Sequence, residues 1–291
     1  MAKIDLYRSS ATSILRGQYA GALDGIPILD ENVNIDDLFL DGEVAPVRGG
    51  HDPYQYVPDM MAAPSGMKTY TESELDALYD EQERVESSLE HLYLREWAGP
   101  CLDQNGHGYC WSYSTGSALM MRRLALHLPF VRLNPHSVAA IIKGGRDEGG
   151  WCGLSLGKYR EIGCAEEGTA EGQWPVHSRQ VSRFNDAAVK ASMLKYRVTD
   201  DWYDLGKPAY AQALKDAQRW TCMFNNCPVP TDRNVWAHST CDIRYVRIEK
   251  GSWGWLTLNS WKGWGRRGLA VMRGRYLKAD GAVSVVNSMA A

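Results

Sequence analysis

The chain has 291 residues and a formal net charge of −3, with 44% hydrophobic and 23% charged residues. These values are ordinary for a globular protein and give no electrostatic basis for binding nucleic acid or a membrane surface. No uncharged apolar run approaches the roughly 18 residues of a spanning helix, and the first 30 residues lack the apolar stretch of a secretory signal. We therefore expect no nucleic acid, no membrane and no export through a signal peptide.

Residues 1–69 differ in composition from the rest of the chain. Glycine, proline, aspartate and asparagine punctuate them, and their apolar runs are short. This pattern is typical of an extended arm or of partly disordered chain. Such an arm could lie on its own domain or on a neighbouring subunit.

Residues 70–98 are expected to form an amphipathic helix leading into the main domain. Thr71 to Glu74 has the pattern of a capping box, which marks a helix start. An apolar stripe at near-helical spacing follows to about Glu96: Leu75, Leu78, Val85, Leu89 and Leu92. We interpret it as a surface helix packing on the main domain, and the alternative is a helix that binds a partner or inhibits.

The remaining residues, 99–291, divide into a helical part, about 99–205, and a β-rich part, about 206–291. Helices are predicted from Cys110 to about Leu128, from Pro135 to about Lys143, over 154–162 and over 208–220. Short β-rich runs punctuated by glycine follow, over 235–248, 253–258 and 269–272. A helical lobe followed by an antiparallel sheet lobe predicts an α+β architecture with a cleft between the lobes.

One cysteine stands at a chemically favoured position. Cys110 follows a glycine-bearing loop and begins a predicted helix, in the segment Gln-Asn-Gly-His-Gly-Tyr-Cys-Trp at 104–111. Unpaired N–H groups and the positive end of a helix dipole favour thiolate, the nucleophilic form of cysteine. Gln104, six positions earlier, is close enough along the chain to direct its amide at the same centre.

This segment resembles the active-site segment of papain-like cysteine proteases, in which Gln is followed after five residues by Cys-Trp. His238 and Asn259 follow Cys110 by 128 and 149 positions, similar to the spacing of the His and Asn of that family. Asn259 lies in Asn-Ser-Trp-Lys-Gly-Trp-Gly, which looks like a second family block, and Gly149-Gly150-Trp also matches. The resemblance covers roughly residues 95–275 and implies a papain-like two-lobed fold.

The resemblance implies a role for each matching residue. Cys110 would be the nucleophile, His238 the base, and Asn259 the group that orients the imidazole. The Gln104 amide and the Cys110 N–H would bind the oxyanion. Trp261 would cover the His–Asn pair, and Gly149 with Gly150 would bind the substrate backbone. No cofactor and no metal are implied.

The sequence departs from the family at several positions. His107 stands where the family has a cysteine, and Tyr109 stands where a small residue is usual. We interpret His107 as filling the place of the missing disulfide. The odd count of seven cysteines favours free thiols in a reducing compartment such as the cytoplasm.

The site residues also have simpler interpretations. Cys110 could be a buried structural thiol, Asn259 a turn residue and Gln104 a solvated loop residue. A zinc site is the weaker alternative for His238 with Cys222, Cys227 and Cys241.

Two functions remain open. The first is a cysteine peptidase that hydrolyses peptide or amide bonds of a protein or peptide substrate. The second is a structural or assembly component, for instance of a virus particle, that keeps the fold and docks on partner subunits through residues 1–96.

Overall fold

We analysed a computed structural model, which describes residues 26–30, 33, 38–39, 70–199, 202–205 and 212–285. The helices are α1 (Glu72–Arg84), α2 (Leu89–Glu96), α3 (Cys110–Ala125), α4 (Pro135–Lys143), α5 (Cys152–Glu161), α6 (Ala187–Lys195) and α7 (Gln212–Phe224). The strands are β1 (Ile28–Leu29), β2 (Trp202–Asp204), β3 (Val229–Arg233), β4 (His238–Glu249), β5 (Ser252–Leu258), β6 (Leu269–Met272) and β7 (Gly281–Val285).

The strands of the described residues form one seven-stranded sheet in the order β1-β6-β5-β4-β3-β7-β2. β1 runs parallel to β6, and the other neighbouring strands pair antiparallel. Helices α3 to α6 precede strands β2 to β7 of this sheet in the chain. The result is the predicted α+β order of a helical part followed by an antiparallel sheet. The boundary between the two parts was predicted between residues 205 and 206. It borders residues 206–211, which lie outside the described part of the chain.

The predicted helix starts at Cys110 and Pro135 are both confirmed. At α4, the Asn134 side chain accepts a hydrogen bond from the His136 N–H at 3.1 Å, and Gly144 ends the helix in the left-handed conformation. Helix α3 ends at Ala125, earlier than predicted. His127 there has a φ of 57°, which a continuing helix cannot adopt.

The single helix predicted from residue 71 to about 96 is wrong. Thr71 and Glu74 form the predicted capping box, but the chain then folds into two helices. Glu86 has a φ of 49°, which breaks the first helix. Ser88 caps the second, because its hydroxyl accepts the His91 N–H at 3.4 Å. Local capping therefore interrupts a continuous apolar stripe.

Helices α1 and α2 pack on the chain's own sheet through charged side chains of β4. The Arg244 guanidinium lies 4.5 Å from the ring centre of Tyr79 and donates to Glu90 at 2.7 Å, and both partners of this ion pair are buried. Arg247 donates to Asp76 at 2.8 Å. Removing one partner of the buried Arg244–Glu90 pair should cost about 3–5 kcal/mol, because the other charge would be left buried and unpaired.

The described parts of the N-terminal arm also lie on the sheet. The Pro27 carbonyl accepts the Val271 N–H at 2.9 Å, and the Leu38 carbonyl accepts the Gly265 N–H at 2.8 Å. Leu29 and Leu38 are fully buried. Most of the predicted arm, including residues 1–25 and 40–69, falls outside the described residues.

Helix α3 forms the centre of the structure and positions the site. It packs against β4 on one side and against α4 and α5 on others. A side chain at Gly116 would place its Cβ 2.4 Å from Pro135, so the small residue allows α4 to approach closely. The start of α3 thereby comes to lie at the start of β4. Within the described residues, no helix combines the length and apolarity needed to cross a bilayer.

Candidate active site

Cys110 is the first residue of α3. No side chain caps this end of the helix, so the positive end of the helix dipole acts on the thiol. The side chain is fully buried. Hydrogen bonding from Ser239, the second residue of β4, lowers the pKa of its thiol in part, and α3 packs against β4. The candidate nucleophile thus lies beside the strand that begins with His238.

The helix end favours a thiolate at Cys110, and burial acts in the opposite direction. Burial raises the pKa of the Cys110 thiol to about 12, and hydrogen bonds from Ser239 and from the Trp111 backbone N–H offset only part of that rise. Desolvation disfavours the charged form more strongly than the helix end favours it. Burial therefore favours the protonated thiol over the thiolate in the enclosed site.

The imidazole of His238 and the carboxamide of Asn259 are directly joined. His238 Nε2 lies 2.7 Å from Asn259 Oδ1, and both side chains are buried. Asn259 Oδ1 also accepts the Ser260 N–H at 2.8 Å, which fixes the oxygen toward the ring. Nε2 therefore carries the imidazole hydrogen, and Nδ1 keeps the lone pair that a base requires.

The antiparallel pairing of β4 and β5 brings this pair together. Cys241 in β4 pairs with Leu258, the last residue of β5, so Asn259 emerges close to the beginning of β4. The two residues are distant in sequence but adjacent at one end of the sheet. The sheet register therefore fixes the distance between the imidazole and the carboxamide.

Gln104 connects the loop before Cys110 to the segment after Asn259. Its Nε2 donates to the His107 carbonyl at 2.7 Å, and its Oε1 accepts the Ser260 hydroxyl at 2.7 Å. The Gln104 backbone N–H donates to the Ser260 carbonyl at 3.0 Å. A carboxamide nitrogen carries two hydrogens, and one is used here. The other is compatible with the predicted oxyanion role.

Two tryptophans enclose the His238 ring. The Trp261 ring centre lies 4.2 Å from that of His238 with the planes tilted by 30°, and Trp236 meets His238 edge-on at 4.9 Å. Phe39 of the arm stacks on the outer side of Trp261 at 5.8 Å. The sequence predicted Trp261 as the cover. It missed Trp236, whose position two residues before the histidine was the available signal.

Gly149 and Gly150 lie along the start of α3. A Cβ at Gly150 would come within 2.6 Å of the Trp111 ring, and a Cβ at Gly108 would lie 3.5 Å from the Gly149 nitrogen. Glycine is therefore required at 150 by the ring that follows the nucleophile. The role of both glycines in holding substrate stays a prediction.

His107 joins the loop before Cys110 to the glycine segment. Its Nδ1 lies 3.0 Å from Asp147 Oδ2, and Asp147 Oδ1 accepts the Gly108 N–H at 2.7 Å. Burial alone would raise the pKa of Asp147, but the hydrogen bonds from Gly108 and His107 hold it below its ordinary value. A noncovalent clamp occupies the place where the sequence predicted a substitute for a disulfide. Asp147 was missed, because its partner is 40 positions away.

The cysteines do not assemble into a cation site. Cys222 and Cys227 belong to the hydrophobic core under the sheet, and Cys241 is fully buried. Among the described residues, no group of three His, Cys, Asp or Glu side chains is arranged to hold a metal ion. His238 is engaged with Asn259 instead. All seven cysteines lie in the described ranges as buried free thiols.

Solved structures with a similar backbone are cysteine proteases. Digestive procathepsin L 3 of the Tenebrio molitor larval midgut is 14% identical, with 98% of this chain and 92% of that chain covered at a TM-score of 0.51. The Amb a 11 cysteine protease, a major ragweed pollen allergen in its proform, is 16% identical, with coverage of 67% and 63% and a TM-score of 0.47. No family model and no curated protein matches the chain.

The chain therefore has the papain-like two-lobed α+β fold that the sequence predicted. This is a statement about the fold, because backbone similarity at such low identity does not determine activity.

Proposed function

We propose that the chain is a cysteine peptidase that cleaves peptide bonds with Cys110, His238, Asn259 and Gln104. The observation that carries the proposal is the buried 2.7 Å hydrogen bond between His238 and Asn259 at the start of β4, the strand against which the helix of Cys110 packs. A core histidine needs a partner, but it does not need a carboxamide oxygen fixed by a second donor. The arrangement fixes the tautomer of the His238 imidazole, which supports a role for His238 as a base.

Acylation begins with transfer of the Cys110 proton to His238 Nδ1. The sulfur attacks the substrate carbonyl carbon, and the carbonyl oxygen becomes an oxyanion. The imidazolium then protonates the leaving amine, and a C–N bond breaks as the thioester remains. Water, deprotonated by His238, attacks the thioester and releases the acid and the Cys110 thiol.

Two donors would stabilise the oxyanion. These are the second hydrogen of Gln104 Nε2 and the backbone N–H of Cys110 at the uncapped helix end. One such donor contributes about 3–4 kcal/mol to barrier lowering in comparable hydrolases. Gln104 needs the Ser260 hydroxyl to keep its orientation, so the loop before Cys110 and the segment after Asn259 would act together.

The substrate is a protein or peptide in extended conformation. The half-buried Gly149 adjoins the loop before Cys110 and leaves its backbone without a shielding side chain. Because Cys110 is fully buried, a substrate carbonyl needs a local opening between α3 and the surrounding segments to reach the sulfur. Catalytic sites that open by loop movement are common.

The experiment is active-site labelling of the full chain at about pH 6, where an isolated thiol is mostly protonated. An epoxysuccinyl inhibitor is added and the adduct is located by mass spectrometry. We expect selective labelling of Cys110 that a His238→Ala variant loses. Equal slow labelling of several cysteines, unchanged by His238→Ala, would overturn the proposal.

The second candidate is a structural or assembly component that retains the fold with a dormant or single-use site. The complete burial of Cys110, which also raises the pKa of its thiol, favours it. Residues 1–96 would then dock on partner subunits. Under this function Cys110 is labelled slowly, and the number of subunits in the assembly falls when residues 1–69 are removed.

A further inference from the structure

Three histidine rings from separate segments meet beside residues 103–109, here named the Gln104 loop. His107 belongs to this loop, His136 is the second residue of α4, and His177 lies in the turn at 175–178. The ring centre of His136 lies 4.9 Å from that of His107 and 5.8 Å from that of His177, and the latter two are 6.3 Å apart. These three rings are the histidine cluster.

Two rings of the cluster hold the Gln104 loop by hydrogen bonds. His177 Nε2 donates to the Asp103 carbonyl at 2.8 Å, and a carbonyl can only accept, so this nitrogen carries a hydrogen. His107 Nδ1 lies 3.0 Å from Asp147 Oδ2. Asp103 directly precedes Gln104 in the chain. The ring of His177 therefore fixes the backbone from which the candidate oxyanion donor extends.

The turn that carries His177 is strained and tied to the start of α4. His177 has a φ of 57°, in the left-handed region that few residues other than glycine adopt. Such backbone strain persists only where the surrounding structure holds it. Asn134, the cap of α4, donates to the carbonyls of Trp174 and Pro175 at 2.9 and 3.1 Å. The turn and α4 thus form one support for the Gln104 loop.

His136 is the member of the cluster that is least able to carry a charge. It is fully buried, its Nδ1 lies 3.3 Å from the Tyr113 hydroxyl, and its Nε2 has no hydrogen-bond partner among the described residues. An imidazolium carries a hydrogen on both nitrogens, so a second proton would leave a buried N–H without an acceptor. Burial, with smaller contributions from His107 and His177, lowers the pKa of His136 to about 3.

The other groups that face His136 leave a charge on its ring unfavourable. Three of them are positive or become so on protonation: His107, His177 and Arg179. The Asp147 carboxylate acts in the opposite direction, but it is already engaged with His107 at 3.0 Å. From α3, Tyr109 and Tyr113 face the ring, and burial raises the pKa of both hydroxyls, so neither supplies a negative charge.

We propose that the histidine cluster positions the Gln104 loop, and that a proton taken up by His136 releases the loop from α4. A released loop exposes the His136 ring to water, where it takes a proton at its ordinary pKa of about 6.5. The closed loop is therefore fully favoured above about pH 6.5 and loses stability as pH falls toward the lower pKa of the closed form. The inference rests on the proposed function, because release would move the Gln104 amide away from the oxyanion.

The experiment measures hydrogen exchange of the Gln104 backbone N–H by NMR in the full chain. This N–H donates to the Ser260 carbonyl at 3.0 Å, so it exchanges only when the loop opens. Uptake of one proton on opening predicts a loss of protection of about 10- to 30-fold between pH 7 and 5, after correction for intrinsic exchange. The pKa of Asp147 lies below its ordinary value, so the Asp147 carboxylate stays ionised in this window.

Two variants separate the titration of His136 from its packing. His136→Phe keeps a ring, and His136→Gln keeps a partner for the Tyr113 hydroxyl. In both, we expect the protection of Gln104 to change less than about threefold between pH 7 and 5. His127→Asn, which removes an exposed histidine just after α3, is the matched control and keeps the full loss. A purely structural role would lower protection equally at every pH.

Three results overturn the proposal. The first is a protection of Gln104 that does not change with pH in the unmodified protein. The second is an equal loss in the unmodified protein and in the His136 variants. The third is a ¹⁵N chemical shift of the His136 ring that reports an imidazolium above about pH 6 in the unmodified protein. The first and third results do not depend on any variant folding.

Hydrogen exchange needs no turnover, so the two proposals fail separately. A protein that loses protection at Gln104 in acid but cleaves no peptide contradicts the proposed function alone. A protein that cleaves peptides while the protection of Gln104 stays independent of pH contradicts the role of the histidine cluster alone.

Discussion

His238 Nε2 and Asn259 Oδ1 lie 2.7 Å apart, beneath the ring of Trp261. The carboxamide oxygen accepts the Ser260 N–H as well, while Asn259 Nδ2 has no hydrogen-bond partner among the described residues. An unsatisfied buried polar atom costs about 1–3 kcal/mol. The Asn259 carboxamide therefore costs stability at its nitrogen, whereas its oxygen orients the His238 imidazole.

Replacing Asn259 by alanine should reduce kcat/KM by about 10- to 100-fold, because the imidazole loses its fixed tautomer. The Ser260 N–H also loses its acceptor, so we expect a loss of about 1–3 kcal/mol in unfolding free energy. Peptide cleavage and urea unfolding measure the two effects. Asn225→Ala, at an exposed residue just after α7 whose amide donates to the Thr221 carbonyl, should change neither by much.

The Trp261 ring should protect the hydrogen on His238 Nε2 from exchange with water, since it lies 4.2 Å from the imidazole. We expect a slowly exchanging imidazole N–H signal in ¹⁵N-edited NMR spectra, and at least about tenfold faster exchange in Trp261→Ala. Trp253→Ala, which removes a ring stacked on Tyr245, is the control. An N–H that exchanges equally fast in all three proteins would show that the ring does not shield the pair.

The arm segment at Leu38 should stabilise the aromatic cover from outside. Leu38 is fully buried, and its neighbour Phe39 stacks on Trp261. Leu38→Ala should lower the unfolding free energy by about 2–5 kcal/mol. Leu194→Ala, at a side chain that is 46% exposed, should cost less than about 0.5 kcal/mol. Equal small effects would mean that the arm does not contribute to the folded core.

The Asp147 clamp should make stability depend on acid pH. The folded-state pKa of Asp147 is held below its ordinary value, so its stabilising contribution is present above about pH 4 and is lost as pH falls through the folded pKa. The exposed fraction of the side chain is 38%, so screening keeps the contribution below about 1 kcal/mol. Asp147→Asn should therefore show a smaller stability loss than the unmodified protein between about pH 5 and 3, measured by urea unfolding. A stability loss of the same size in both proteins would show that Asp147 does not contribute to the pH dependence.

The elements around the site were predictable where local chemistry decides them. The start of α3 at Cys110 and the cap at Asn134 depend on residues within one helical turn. The break after α1 was not predictable from the apolar stripe, because the left-handed Glu86 and the Ser88 cap compete with it.

The residue set of the candidate site came from the family resemblance and stays a prediction, but the effect of burial on the Cys110 thiol could not be read from the sequence. The helix end at Cys110 was visible in sequence. The desolvation that outweighs it, and the charge of Asp232 that adds to it, depend on tertiary packing. Pairs such as His107 with Asp147 and Asp232 with Ser239 bring together residues whose sequence contexts give no sign of one another.

The most direct test of the account is the pH dependence of kcat/KM on a fluorescent casein or peptide mixture. The active site must hold one proton shared between Cys110 and His238, so the rate should fall at low pH when a second proton binds and at high pH when the last one leaves. The account predicts a bell-shaped profile that Cys110→Ala and His238→Ala abolish. A rate that only rises with pH, as for a lone buried thiol, would contradict the claim that these two side chains act as a pair.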